Sequence, residues 1–210
     1  MYDLIDSRFD TMMEAEEQVD AHENGQRMML PVLLLPGLGG SGPGHWQSHW
    51  QRADPAMTRL SVPDWDRPEL ADWCAALDRA VNAHARPPIL VAHSLACLLV
   101  AHWAQARGPR AAGAILVAVP DPSGPQFPVE ARSFAQVPEQ PLPFPSVVVA
   151  SADDPYGSLD HSERRARQWG SRLIAVGSLG HINADSNLGE WARGREILAV
   201  FRTELEGNRA

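Results

Sequence analysis

Three residues that lie far apart in the sequence could together perform nucleophilic chemistry: Ser94, Asp154 and His181. A serine hydroxyl is a weak nucleophile at neutral pH, so it needs an imidazole to accept its proton and a carboxylate to hold that imidazole in the right tautomer. Backbone amides would stabilise the oxyanion that forms, and those of Leu95 and Leu38 are the candidates. The combination predicts acyl transfer through a covalent acyl-enzyme.

The serine and the aspartate each have an alternative interpretation. Ser94 lies where a helix is predicted to begin, and its hydroxyl could instead cap that helix. Asp153 competes with Asp154 for the carboxylate position. We favour Asp154 because the Asp-Pro pair opens the turn that leaves the preceding strand, but both aspartates could be solvated turn residues.

Three other histidines compete with His181. His93 adjoins the serine but should point away from it in a tight turn, and His161 should lie on a helix surface. His45 follows a glycine-rich loop. His181 is favoured because it comes after the last predicted strand, which places it behind Ser94 and the aspartate in the chain order of one known triad arrangement.

The segment around Ser94 predicts a strand, a sharp turn and a helix. Residues 89–92 are apolar, and an apolar pattern with helical spacing continues from Leu95. Ala92 and Ala96 supply the small side chains that a cramped turn requires, although G-x-S-x-G is the usual pattern and this chain has A-H-S-L-A. A serine in such a turn projects beside a helix N-terminus, which favours a developing negative charge.

The apolar runs along the chain predict an α/β fold with a mostly parallel sheet of about six strands and helices on both faces. The predicted strands are residues 31–35, 58–62, 89–92, 114–119, 146–150 and 172–176, and helices are predicted at 45–53, up to 84, after 94, 158–169 and 188–205. In such a sheet the functional site lies at the carboxyl ends of the strands. Ser94, Asp154 and His181 all fall in loops at that edge.

Candidate substrate-binding residues lie on the loops near the serine. His45 and Trp46 follow the glycine-rich loop, Trp65 lies in a rigid Pro-Asp-Trp loop, and Phe127 belongs to the proline-rich stretch 120–145. Pockets are lined mostly by apolar and aromatic side chains. The aromatic residues could instead pack beneath the loops, and for Trp46 we favour this packing interpretation. The stretch 120–145 contains eight prolines, and we expect it to form a partial lid.

The composition argues against a membrane-spanning protein and against a nucleic-acid-binding protein. The 210 residues are 44% hydrophobic and 21% charged, as in an ordinary globular protein, and no apolar run is long enough to span a membrane. The net charge is -8 and all 18 basic residues are arginine, so nucleic acid is a poor candidate partner. Cys74 and Cys97 should be buried free thiols. We expect a cytoplasmic protein with no cofactor and no metal site.

The acidity is concentrated at the N-terminus. Residues 1–28 contain eight acidic residues and two arginines, with no strong apolar face. This composition predicts a mobile acidic extension ahead of a single domain over residues 29–210. Met28 or Met29, placed directly before the first strand, could be the natural start of the chain.

Five separated motifs make residues 30–200 resemble the small serine hydrolases grouped with retinoblastoma-binding protein 9, a compact branch of the α/β-hydrolases. The motifs are Pro36–Gly37 with Gly42–Trp50, Pro63–Pro68, Ala92–Leu95, Asp153–Pro155 and Gly180–Asn183. The resemblance implies the triad Ser94, Asp154 and His181. Ala96 departs from the family pattern, where glycine is more usual, and its extra methyl could crowd the oxyanion site. The chain lacks an L-x-C-x-E sequence, so no retinoblastoma-type partner is expected.

The residues and the resemblance together predict a serine hydrolase, with a carboxylesterase for small acyl substrates as the leading hypothesis. An amidase, a peptidase or a thioesterase could use the same triad, because the triad does not select the leaving group. A non-catalytic binding protein on the same scaffold is the alternative outside this class. The sequence does not indicate the oligomeric state.

Overall fold

An open sheet of six parallel strands organises the protein in the computed structural model, which describes residues 29–207. The strands are β1 (Val32–Leu35), β2 (Thr58–Arg59), β3 (Ile89–His93), β4 (Gly113–Val117), β5 (Ser146–Ala150) and β6 (Arg172–Ala175). They lie in the order β2-β1-β3-β4-β5-β6, and each adjacent pair is parallel. The predicted fold class is confirmed. The expectation of a mobile extension concerns residues outside those described.

Helices cover both faces of the sheet. They are α1 (Trp46–Ala53), α2 (Leu70–Asn82), α3 (Leu95–Arg107), α4 (Leu159–Trp169) and α5 (Ala192–Gly207). Side chains at alternate strand positions, such as Leu90 and Leu116, share one buried cluster with residues of α2, α3 and α4. On the opposite face Phe201 of α5 packs directly on Gly113 of β4.

The central strands were predictable because strands buried on both faces read as continuous apolar runs, and β3, β4 and β5 are buried at every position. The ends of the strands differ from the prediction. β4 stops at Val117 because Ala118 has a φ of 56°, which is incompatible with an extended strand. β2 is an edge strand of only two residues, although the N–H of Leu60 still bonds the carbonyl of Leu34.

The proline-rich stretch 120–145 is fastened to the domain over much of its length. It contains a 3-10 helix, Val129–Phe134, whose Phe134 is fully buried and meets the ring of Trp73 edge to face. Further along, the indole N–H of Trp169 donates to the carbonyl of Pro138 at 2.9 Å. The stretch is therefore anchored to the domain by Phe134 and Pro138. Of its residues, Pro120, Phe127 and Pro128 line the cavity described below.

None of the helices within residues 29–207 combines the length and the apolar composition that a membrane span requires. The same part of the chain contains no group of three or more His, Cys, Asp or Glu side chains arranged to hold a metal ion.

Candidate active site

Ser94 lies at the turn between β3 and α3 in a strained conformation. Its φ of 55° and ψ of -123° are unusual for a residue with a side chain, and strain of this kind is concentrated at functional sites. Ala92 and Ala96 are fully buried beside it. A Cβ added to Gly37 would lie 2.9 Å from the carbonyl of His93 and 3.0 Å from Ser94 Cβ. Only a glycine lets the first loop approach the serine so closely.

The hydroxyl of Ser94 does not cap α3, although the residue occupies the N-cap position. Its Oγ lies 2.8 Å from Nε2 of His181. The helix-cap alternative is therefore wrong, because the side chain turns away from the first turn of α3 and toward the loop that follows β6.

Asp154 lies on the other side of the same imidazole. Both of its carboxylate oxygens are 2.9 Å from Nδ1 of His181, and Oδ1 also accepts the N–H of Tyr156 at 2.9 Å. The side chain of Asp154 is only 2% exposed. A carboxylate can only accept, so Nδ1 carries the proton and Nε2 is free to accept the hydroxyl proton of Ser94. The structure thus brings the three predicted residues into one hydrogen-bonded line.

Asp153 has a different function in the same loop. Its Oδ1 accepts the hydroxyl of Ser151 at 2.7 Å and the N–H of Gly180 at 2.8 Å, and these bonds lower the pKa of its carboxyl. Asp153 therefore ties the loop after β5 to the residue that precedes His181, without contacting the imidazole.

Two of the competing histidines, His93 and His161, bond to other groups. The Nε2–H of His93 donates to the backbone carbonyl of His181 at 2.9 Å, and burial holds its pKa well below the ordinary value. His161 does not lie on a helix surface as predicted. It is 2% exposed because the loop after β4 covers it, with its Nδ1 3.2 Å from a carboxylate oxygen of Asp121.

The two candidate oxyanion amides both belong to residues at the site. Leu95 is the first residue of α3, and the first amides of a helix have no partner within that helix. Leu38 begins a short 3-10 turn directly after Gly37. Both residues line the cavity above Ser94.

This cavity has a volume of about 280 Å³. His45 and Phe127 line it, as predicted, but neither Trp46 nor Trp65 is among the described residues in its wall. Trp46 is 1% exposed, packs against Trp50 and Trp191, and donates to the carbonyl of Ile182 at 2.8 Å. The described lining residues are Leu38, Gly39, Ser41, Gly42, His45, His93, Ser94, Leu95, Pro120, Phe127, Pro128, Tyr156, His181, Asn183 and Ala184.

A model of the family described as serine hydrolase matches residues 32–200 of this chain, a range that contains Ser94, Asp154 and His181. The protein belongs to the serine hydrolase family.

Solved structures agree with this assignment. A YdeN-like hydrolase from Pectobacterium atrosepticum is 34% identical with a TM-score of 0.77, and the alignment covers 90% of this serine hydrolase and 98% of that chain. The YdeN gene product of Bacillus subtilis is 23% identical with a TM-score of 0.70, covering 83% and 99%. An esterase from Thermogutta terrifontis, 14% identical with a TM-score of 0.62 over 84% and 90%, shares the fold. No curated protein matches the sequence.

Two residues that position the site of this serine hydrolase were not among the predicted site residues, although Gln47 lies within the motif Gly42–Trp50. The guanidinium of Arg59 donates to the carbonyls of Gly40 and Ser41 at 2.7 and 2.6 Å, which fixes the loop that carries Leu38. Gln47 is fully buried, and its Nε2 donates to the carbonyl of Leu35 at the end of β1 at 3.2 Å and to the carbonyl of Val91 in β3 at 3.1 Å. Both residues act through backbone carbonyls, which carry no side-chain pattern.

Proposed function

We propose that this serine hydrolase is a carboxylesterase that cleaves small acyl esters through an acyl-enzyme on Ser94. The observation that carries the proposal is the line of hydrogen bonds from Ser94 Oγ through His181 to the carboxylate of Asp154, at 2.8 and 2.9 Å. A nucleophile, a base and a residue that orients the base are the parts that activate a serine.

In the first half of the reaction, Ser94 Oγ attacks the ester carbonyl while Nε2 of His181 accepts its proton. The imidazolium that forms is stabilised by Asp154, and it then protonates the departing alkoxide. In the second half, His181 removes a proton from water, which attacks the acyl-enzyme. The imidazolium then returns that proton to Ser94 Oγ as the acyl–oxygen bond breaks and the acid leaves. The amides of Leu95 and Leu38 donate to the oxyanion, and each such donor lowers the barrier by on the order of 3 kcal/mol.

The cavity favours small substrates. Its volume of about 280 Å³ is just below the usual range for pockets that hold drug-sized ligands. Pro120, Phe127 and Pro128 give it apolar wall area from the loops after β4. We therefore expect acetyl to hexanoyl esters to be preferred over long-chain esters.

The same arrangement of residues would also attack an amide or a thioester. The choice of an ester substrate is therefore a more specific proposal than acyl transfer through Ser94. Placement in the branch of retinoblastoma-binding protein 9 rests on the five sequence motifs alone and stays a prediction.

A fluorophosphonate probe tests the proposed nucleophile. The wild-type protein should be labelled and should hydrolyse p-nitrophenyl butyrate, and Ser94→Ala should abolish both. Ser123→Ala is the matched control, because Ser123 is exposed and its hydroxyl bonds only Asp121 among the contacts described. A folded wild-type sample that is neither labelled nor active would indicate a binding protein instead.

A further inference from the structure

The backbone directly after His181 is strained. Ile182 has a φ of 48°, a left-handed conformation that β-branched residues rarely adopt. Ile182 is also fully buried. Strained backbone of this kind persists only where the surrounding contacts hold it, and it is concentrated at functional sites. The contacts that hold Ile182 therefore bear on the geometry of the site.

Both peptide groups that flank the Cα of Ile182 are held by ring N–H donors from other parts of the chain. On one side, the carbonyl of His181 accepts the Nε2–H of His93 at 2.9 Å. A carbonyl can only accept, so Nε2 carries the proton of the His93 ring. On the other side, the carbonyl of Ile182 accepts the indole N–H of Trp46 at 2.8 Å. His93 is 4% exposed and Trp46 is 1% exposed, so both bonds are shielded from water.

The same two peptide groups make further bonds within their own loop. The N–H of Ile182 donates to the carbonyl of Leu179 at 3.2 Å, and the N–H of Asn183 donates to Oγ of Ser186 at 3.2 Å. These local bonds shape the loop but do not fix its position relative to β3. Among the contacts of these two peptide groups within residues 29–207, those from His93 and Trp46 come from outside the loop.

His93 also links the base to the nucleophile. It is the last residue of β3 and directly precedes Ser94. Its bond to the carbonyl of His181 therefore ties the backbone that carries the base to the strand that carries the nucleophile. Trp46, the first residue of α1, ties the next residue of the loop to that helix. Ser94 Oγ and His181 Nε2 lie 2.8 Å apart, and a misplacement of about 1 Å can lower a rate by about a hundredfold.

We propose that His93 and Trp46 are positioning residues for His181. Together they hold the strained backbone at Ile182 in the conformation that keeps Nε2 of His181 within hydrogen-bond distance of Ser94. This inference rests on the proposed function of His181 as the base, and it assigns a part in the reaction to two residues outside the triad. Each acts through His181.

Variants that remove or keep the donor test the two positions. His93→Leu removes the N–H and keeps a side chain of similar size, whereas His93→Gln keeps an N–H donor at about the same reach. Trp46→Phe removes the indole N–H and keeps an aromatic ring. With p-nitrophenyl butyrate, His93→Leu and Trp46→Phe should each lower kcat by about ten- to a hundredfold and leave KM within about twofold. His93→Gln should recover most of that loss.

His102→Leu and Trp50→Phe are the matched controls. His102 Nε2 lies 3.2 Å from the carbonyl of Phe134, and the indole N–H of Trp50 donates to the carbonyl of Glu190 at 2.6 Å. Each control therefore also removes a ring nitrogen that contacts a loop carbonyl, but neither carbonyl adjoins the strained residue. Both controls should lower the melting temperature about as much as the test variants and leave kcat within about threefold.

A double-mutant cycle separates positioning from a general structural effect. If His93 acts through the imidazole of His181, the substitution has no further effect once that imidazole is gone. Adding His93→Leu to His181→Ala should then lower the residual rate of ester hydrolysis by no more than about twofold.

Folded His93→Leu and Trp46→Phe variants that keep kcat within about twofold of wild type would overturn the positioning role. An equal loss in the controls, a loss in only one of the two variants, or an additive loss in the His181→Ala background would overturn it as well. If His93→Leu does not fold, Trp46→Phe and its control Trp50→Phe decide the result. A folded wild-type protein that neither hydrolyses the ester nor reacts with the fluorophosphonate would overturn the proposed function, and this inference with it.

Discussion

Replacing Asp154 by asparagine should reverse the tautomer of His181. In the native site Oδ1 of Asp154 accepts both the N–H of Tyr156 and the proton on Nδ1, while Oδ2 bonds Nδ1 of His181 and no other group within residues 29–207. An asparagine would keep its single oxygen on the N–H of Tyr156, because an amide nitrogen cannot accept there. Its NH₂ group would then face Nδ1, which must become an acceptor and move the ring proton to Nε2.

A histidine with its proton on Nε2 cannot accept the hydroxyl proton of Ser94. We expect kcat/KM for p-nitrophenyl butyrate to fall by about four orders of magnitude, or roughly 5.4 kcal/mol of transition-state stabilisation. Asp153→Asn is the matched control, since it also removes one negative charge, one residue away. Its oxygen can still accept from Ser151 and Gly180, so we expect a loss below about tenfold.

Circular dichroism and melting curves of both variants verify that the fold is retained. The reasoning is refuted if a folded Asp154→Asn variant keeps activity within tenfold of wild type, or if Asp153→Asn is the more damaging of the two. Either result would place the orienting carboxylate elsewhere.

Two further predictions concern the cavity and the buried side chain of His45. Along a series of p-nitrophenyl esters, kcat/KM should rise by up to about fourfold per methylene, the equivalent of ~0.8 kcal/mol, and should stop rising near six carbons; a profile still rising at twelve carbons would contradict the small cavity. The pKa of His45 falls from its ordinary 6.5 to about 3 on folding. The unfolded chain therefore takes up a proton below pH 6.5 that the folded protein refuses, and the free energy of unfolding should drop by up to about 1.4 kcal/mol per pH unit from there toward pH 3. Urea unfolding should show that His45→Asn reduces the loss between pH 7 and pH 5 by about 2 kcal/mol, and an unchanged loss would show that His45 is not held neutral.

Sequence patterns predicted correctly those elements that form because of their local residue types. The strand β3 is apolar because both faces of the sheet are covered, and the small residues Ala92 and Ala96 that flank Ser94 are fully buried in the turn. The ends of elements depend on single backbone angles instead. The φ of 56° at Ala118 stops β4, and an alanine gives no sign of such a conformation.

The aromatic residues show where the sequence pattern is insufficient. Trp46 and Phe127 both lie next to loops at the site, yet only Phe127 lines the cavity. The difference arises because Trp191, which lies 145 positions further along the chain, packs against Trp46 and covers it. The prediction that His161 lies on a helix surface was wrong for the same reason, since the loop that carries Asp121 covers that face of α4.

The site is positioned by long-range contacts between side chains and backbone carbonyls. These contacts affect how far the loops can accept substitutions. Arg59 holds two carbonyls of the loop after β1, and His93 holds the carbonyl of His181. A carbonyl exists at every position, so these contacts place no demand on the residue type of the loop that is held. The residue type matters instead at Arg59 and His93, whose side chains donate to these carbonyls. These contacts by themselves therefore leave the residue types of the loops open, whereas the close approach of Gly37 to Ser94 still requires a glycine at that position.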